Sequence, residues 1–142
     1  MKVKISDGEF RDRVIKTQEM MKQEGIDILL AYGNEAEPQY VRYYSDYWPS
    51  FESAGVLMAQ EGEPILIIGP ESGTFAGGVS RIRKIRKLLC FRESSEPEYP
   101  GAKLDDFVSV IREVAQGRQI KRLGLAGNCL ITHVIYEALQ EA

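Results

Sequence analysis

The sequence predicts a single α/β domain built on a mixed sheet, and three observations support this. Short apolar runs bounded by glycine or proline, such as "IDILLAY" (26–32) and "PILIIG" (64–69), have the length and composition of buried strands. Longer segments with apolar residues at helical spacing alternate with them, most clearly over 103–116. Two of the runs are separated only by Glu61, Gly62 and Glu63, a glycine-containing turn that puts an antiparallel pair into a sheet otherwise connected through helices. A chain of 142 residues is about one domain, residues 1–142, and a compact chain of that size buries roughly two thirds of its unfolded surface.

In order along the chain, Ser6 and Glu9 form an S-x-x-E capping box that starts a helix. Phe10, Val14, Thr17 and Met21 are its expected inner stripe, and Gly25 supplies a left-handed stop. The run 26–32 follows as the first strand. "SAGVLMAQ" and "PILIIG" form the hairpin, with Pro64 admissible only where its strand begins. "ESGTFAGGVSRI" is a helix weakened by Gly73, Gly77 and Gly78, each costing about 1 kcal/mol relative to alanine. "KIRKLLCF" reads as a strand, followed by a polar loop over 92–102 with Pro97 and Pro100. Over 103–116, Leu104, Phe107, Val108, Ile111 and Val114 mark an amphipathic helix stopped by Gly117. "RLGLAG" is a further strand, and Thr132 caps a last helix with Ile135, Tyr136 and Leu139 on its inner face. That helix runs into Ala142 without a C-cap glycine, where an α/β alternation leads back to a strand, so the chain is expected to be cut from something longer.

Composition narrows the partners. Hydrophobic content of 44%, charged content of 27% and a net charge of -3 are those of a globular protein with no general electrostatic pull toward nucleic acid. Cys90 and Cys129 lie far apart in segments read as buried, without a CxxC motif, which suits reduced thiols. The first ten residues lack a signal-peptide core and no run approaches a membrane span. The expectation is a cytoplasmic protein with neither a membrane nor a nucleic acid as partner.

Each candidate for chemistry has a plainer reading. His133 is the only histidine and no GxSxG elbow is present, so neither a histidine-built metal site nor a Ser-His-Asp arrangement is supported. Most carboxylates fall in helix starts and loops, where dipole and solvent account for them. Asp27, at the edge of the first strand, raises the question of a two-metal nuclease, but no partner carboxylates appear at other strand ends. "GLAGN" imitates part of a dinucleotide turn without completing G-x-G-x-x-G and reads as a tight turn. The cations Arg81, Arg83, Lys84, Arg86 and Lys87 lack interleaved aromatics and suit a charged edge strand better than a phosphate surface.

The segment "YVRYYSDYWPSF" (40–51) places six aromatic side chains at helical spacing, yet Pro49 disfavours helix at Trp48. Pro38 suits a helix's first turn and Asp46 tolerates a left-handed stop. Tyr40, Tyr43 and Tyr44 are therefore expected in the core of a two-turn helix, with Tyr47, Trp48 and Phe51 in or beside a loop, where large aromatics form interfaces or ligand walls.

Several stretches together resemble the N-terminal domain of the creatinase, prolidase and aminopeptidase P family, the pita-bread metallohydrolases. "EFRDRVIKTQEMMKQEGIDILL" is similar to that domain's E-F-x-x-R opening and M-x-x-x-G-I-D-x-L junction, "YVRYYSDY" to N-x-x-Y-L-[ST]-G-[FY], and "GEPILIIGPE" follows in order. Tyr40 stands where the family usually has Asn, and Asp46 where it usually has Gly, which puts the shape of the turn in question. The resemblance implies a three-layer α/β/α fold with a mixed sheet of five or six strands and a ribonuclease-H-like motif, without that motif's active site. It implies no catalytic or metal-binding residue in this chain. The dinuclear centre (Mn, Co or Zn), held by two Asp, one His and two Glu, belongs to a C-terminal catalytic domain absent from these 142 residues. The implied partners are that domain and a second subunit of a homodimer, whose active site this domain gates. By position the gating or interface loop is 45–51, with Tyr47, Trp48 and Phe51 as apolar wall and Arg42 and Asp46 as polar contacts. The alternative implied by the same fold is a non-catalytic protein-interaction module.

Overall fold

The computed structural model describes residues 4–142. Its sheet is built on β1 (Ile28–Gly33), β2 (Ala54–Ala59) and β3 (Ile65–Ile68), an antiparallel meander in which Leu30 faces Leu57 and Val56 faces Leu66. β4 (Ile85–Lys87) adds parallel to β3, and β5 (Leu123–Ala126) adds parallel to β1, giving the order β4-β3-β2-β1-β5. Four strands thus run one way and β2 runs against them. A meander with a parallel strand beside β1 is the ribonuclease-H-like motif, here extended past β3 by β4.

Side chains alternate across this sheet with the strand period of two, and both faces are covered. Ile28, Leu30, Tyr32, Leu57, Ala59, Ile65 and Ile67 join Phe91, Phe107, Val110, Val114 and Ile135 in one core, under α4 (Phe107–Ala115) and α5 (His133–Glu141). Ala31, Ala54, Val56, Met58, Leu66 and Ile68 join Val14, Met21, Val41, Tyr47 and Ala76 in the other, under α1 (Asp7–Glu24), α2 (Gln39–Ser45) and α3 (Gly73–Val79). The result is the three-layer α/β/α arrangement expected, with five strands.

Local chemistry sets the element ends. Ser6 Oγ accepts the Glu9 amide at 3.1 Å, but the Glu9 carboxylate turns to Arg13 at 3.0 Å, so the expected box at α1 is half made. The reciprocal box occurs at α4, between Asp106 and Ser109. Gly25 ends α1 at φ 67 as expected. The buried stripe of α1 uses Gln18 instead of Thr17, because the Gln18 amide donates to the carbonyls of Ala59 and Gly62 and ties the hairpin turn to the helix. Asp27 accepts the amides of Lys121 and Arg122, both at 2.8 Å, and clamps the entry of β5 to that of β1.

Four expectations are corrected. Helix α4 starts at Phe107, after its Asp106 cap, so Val110 is buried and Val108 is exposed. The strand expected over 84–91 is only β4, because Leu89–Phe91 winds into a 3-10 turn that drives Phe91 into the core against Tyr32 and Phe107. On α2 the inward residues are Val41 and Ser45, while Tyr40 and Tyr43 are exposed. Val41 sits so close to Gly33 that a Cβ there would lie 3.2 Å from its Cγ2, and Tyr40 and Tyr43 are turned outward, while Tyr44 is half-buried and packs against the core as expected. On α5, Ile135 is buried but Tyr136 is exposed.

Gly55 lies mid-strand where a Cβ would approach Leu30 Cδ1 to 2.8 Å and Phe91 Cε1 to 3.3 Å. Gly55→Ala should therefore overpack this core and cost about 1–3 kcal/mol, read as a lower urea midpoint at unchanged slope. Asp27 is held below its ordinary pKa, first by the Lys121 and then by the Arg122 amide, so its contribution is present above about pH 4 and lost as pH falls further. Asp27→Asn should be less stable than the parent at neutral pH, with the difference shrinking on acidification, as followed by urea titrations across that range.

Candidate functional site

Because β1, β3, β4 and β5 share one direction, the segments that leave their carboxyl ends gather at one rim of the sheet, together with the segment that enters β2. The expected loop, 45–51, is that entering segment. Its first residues are built by Ser45, which is fully buried: Oγ donates to the Val41 carbonyl at 2.7 Å and accepts the Tyr47 amide at 3.1 Å, while the Ser45 carbonyl accepts the Arg81 amide at 2.8 Å. Asp46 takes the left-handed conformation expected of it, at φ 60.

The aromatic wall divides one residue later than expected. Tyr47 is only 1% exposed and belongs to the core, its ring 5.8 Å from that of Phe75. Burial pushes its hydroxyl above the ordinary pKa, and a hydrogen bond with Ser72 works in the opposite direction. Tyr47 therefore cannot wall a solvent-facing pocket. The cause is the turn at Asp46, which reverses the chain so that the next side chain falls under α3 and not out from α2. Trp48 and Phe51, at 48% and 49% exposure, are the large aromatics this loop presents outward. Trp48 is held in place: its indole N–H donates to the Glu35 carbonyl at 3.0 Å, and the Arg42 guanidinium lies 4.9 Å from its ring centroid.

Arg42 and Asp46 bind each other as well as the loop. Asp46 lies 3.7 Å from Arg42 and 3.4 Å from Arg81, which also pairs with Asp7 at 2.6 Å. Arg81, missed as a loop residue in the sequence reading, joins the start of α1, the turn and the segment after α3. Glu52 was also missed. It is 1% exposed, and its carboxylate accepts the amides of Glu71 at 3.0 Å and Ser72 at 2.9 Å. The signal available was Gly69, where a Cβ would fall 2.2 Å from the Glu52 carboxyl carbon.

The remaining candidates take structural roles. His133 is exposed at the start of α5, 3.0 Å from Glu137. Asp27 is the strand clamp described above. Gly127, within "GLAGN", turns at φ 79, where a Cβ would press to 2.5 Å on the Tyr32 carbonyl. In the basic run, Arg86 pairs with Glu113 at 2.7 Å, Lys84 with Glu63 at 3.5 Å, and Lys87 donates to the Pro70 carbonyl at 2.8 Å. Cys90 is partly buried and Cys129 exposed, both free, and burial pushes the Cys90 thiol up to about 11. Among the described residues no group of His, Cys, Asp and Glu could hold a metal ion, so the residues present do not fit the dinuclear centre of the resembled family. No described helix is long and apolar enough to cross a membrane.

No protein-family model matches the chain, and no curated protein matches it. Solved structures do match. An Xaa-Pro aminopeptidase from Streptococcus pyogenes aligns at 19% identity over 96% of this chain and 86% of its own, with a TM-score of 0.59. The creatinase/prolidase N-terminal domain of an X-Pro dipeptidase from the same organism aligns at 10% identity over 92% of each chain, with a TM-score of 0.60. A prolidase from Pyrococcus furiosus aligns at 17% identity over 92% of this chain but 31% of its own, with a TM-score of 0.56. The chain has the fold of a creatinase/prolidase N-terminal domain.

Proposed function

We propose that this chain is the non-catalytic N-terminal domain of a metal-dependent Xaa-Pro peptidase, or of a related creatinase-like hydrolase, working in the cytoplasm. The observation that carries the reading is the alignment of nearly the whole chain with one such domain and with about a third of a complete prolidase. In this reading its partners are a C-terminal catalytic domain, which holds the dinuclear Mn, Co or Zn centre, and a second subunit. The domain contributes to dimerisation and restricts entry to the neighbouring subunit's active site.

The loop 45–51 is suited to such a gate for a physical reason. A gate must present apolar surface in a set position, because a wall that has to be ordered on binding loses rotamer and backbone freedom each time. Trp48 is braced by Glu35 and Arg42, Asp46 by two arginines, and Tyr47 anchors the loop in the core. Trp48 and Phe51 are the surfaces available to line an entrance and exclude water from a proline-like ring. Arg42 and Asp46 act through the loop's shape.

The reading is tested by sequencing the source gene past the codon for Ala142 and assaying the longer product. An in-frame domain with two Asp, one His and two Glu ligands, and metal-dependent cleavage of Xaa-Pro substrates that the 142 residues alone lack, is the expected outcome. A following stop codon, or a domain without those ligands, would sink it and turn the aromatic loop into a candidate surface for a protein partner. In the longer protein, Trp48→Ala should change KM or the ratio of kcat/KM between substrates by on the order of tenfold, with global stability close to the parent's. Unchanged kinetics would remove Trp48 from the gate. Tyr47→Ala should instead lower stability by about 3–5 kcal/mol, measured by denaturant unfolding, because it empties a core site.

A further inference from the structure

Among the described residues, every cation of the basic run has a partner except Arg83. Arg81 pairs with Asp7 and Asp46, Lys84 with Glu63, Arg86 with Glu113, and Lys87 donates to the Pro70 carbonyl. Arg11, in the second turn of α1, is likewise in no ion pair with them. Both unpaired arginines are exposed, and both line one cavity of about 440 Å³ that runs along α1 to the hairpin turn at Gly62 and the segment entering β4.

Helical spacing shapes this trough. Phe10, Val14 and Gln18 turn one face of α1 toward the sheet, and Arg11 and Ile15 fall one position further round, at the edge of that face. Phe10, Val14 and Ile82 are buried and make the floor, whereas Ile15 is exposed at the lip. The polar groups on the floor are already used: the Gln18 amide donates to the carbonyls of Ala59 and Gly62, and the Tyr44 hydroxyl lies 3.0 Å from Thr17 Oγ1. The two carboxylates in the lining, Asp7 and Glu63, lie against Arg81 and Lys84. An apolar trough with two uncompensated positive charges at its edge is what remains.

We infer that this trough binds a small amphipathic organic anion, a carboxylate on an aliphatic chain of about eight carbons, its head paired with the Arg11 and Arg83 guanidiniums and its chain along Phe10, Val14 and Ile82.

The volume is that of small-ligand sites, and a guanidinium fork matches the two oxygens of a carboxylate. The surplus of positive charge disfavours an amine head. An added polypeptide strand is disfavoured by the neighbouring sheet edge. There the Ile85 carbonyl accepts from Arg86 Nη1 at 2.9 Å and the Lys87 carbonyl accepts the Asp105 amide at 2.8 Å, so neither is free to pair with a further strand. The inference stands on this cavity and does not use the proposed function.

The test is titration of the 142-residue chain with octanoate at neutral pH and low salt, followed by the backbone amide signals in proton–nitrogen NMR. Saturable shifts confined to 7–18, 62–64 and 81–84, with a Kd below about 1 mM, are expected. Octanol and octylamine, which carry a neutral and a cationic head on the same chain, should bind on the order of tenfold more weakly. The double substitution Arg11→Glu with Arg83→Glu changes only exposed side chains and should weaken octanoate on the order of tenfold while leaving octanol unaffected. No saturable shifts, shifts centred elsewhere, octanol matching octanoate, or a doubly substituted chain that binds octanoate as the parent does would each overturn the inference. The comparison of head groups needs no substitution, so it decides the matter even if the variant folds poorly. A peptide of alternating glutamate and leucine that binds the trough more tightly than octanoate would overturn it in favour of a protein partner.

Discussion

The structure depends on a sheet that has no solvent face. Every residue of β2 and β3 is buried, so the alternation of side chains along them divides two cores instead of an inside from an outside. A slip of one residue in the pairing of β2 with β1 would send Leu57 and Ala59 into the space shaped for Val56 and Met58. The glycines in and beside the central strands follow from this crowding. Gly55 leaves room for Phe91, and Gly33 lets α2 lie on the end of β1. Helices on both faces leave the rim as the place where side chains can be shaped for something other than packing.

At that rim two buried residues act as props. Tyr47 fills the space under α3 and so determines where Trp48 emerges, while Glu52 takes the first free amides near α3 and determines where Phe51 emerges. The exposed aromatics are thus positioned by their buried sequence neighbours, one residue away on either side. A buried carboxylate is tolerated here because its oxygens are hydrogen-bonded, whereas an unpaired one would cost several kcal/mol. The ion pairs of Asp46 with Arg42 and Arg81 are partly exposed, and each is worth about 1 kcal/mol or less, so they steer the turn more than they stabilise the fold.

Much of this was legible in the sequence, for identifiable reasons. Strands buried on both faces produce apolar runs that are hard to mistake when glycine or proline bounds them, and "PILIIG" and "IDILLAY" are of that kind. The helix stop at Gly25 was legible because a φ of 67 selects glycine locally, whereas α4 is stopped one residue before the expected Gly117, by Gln116 in the left-handed conformation at φ 50. What could not be read was which side of a short helix faces in. In α2 the six-aromatic stripe drew the inner face onto the tyrosines, but the deciding contact is with Gly33, outside the helix, and the smaller Val41 meets it, with Ser45 one turn on also buried. The roles of Gln18, Glu52 and Arg81 were likewise not legible, because each is defined by backbone groups or charges 19 or more positions away.

Asp46 shows how a left-handed turn is made without glycine. The resembled family usually has glycine there, and the substitution raised the question of a reshaped turn. The backbone nonetheless adopts the left-handed conformation, at φ 60, that a glycine would supply without strain. An aspartate tolerates that region better than most residues, and here its carboxylate lies against Arg42 and Arg81, partners a glycine could not have. The small conformational cost and the modest ion-pair gain are of similar size, about 1 kcal/mol each. The constraint is therefore on the conformation at position 46, and on the burial of Tyr47 that follows from it, more than on the residue that provides it.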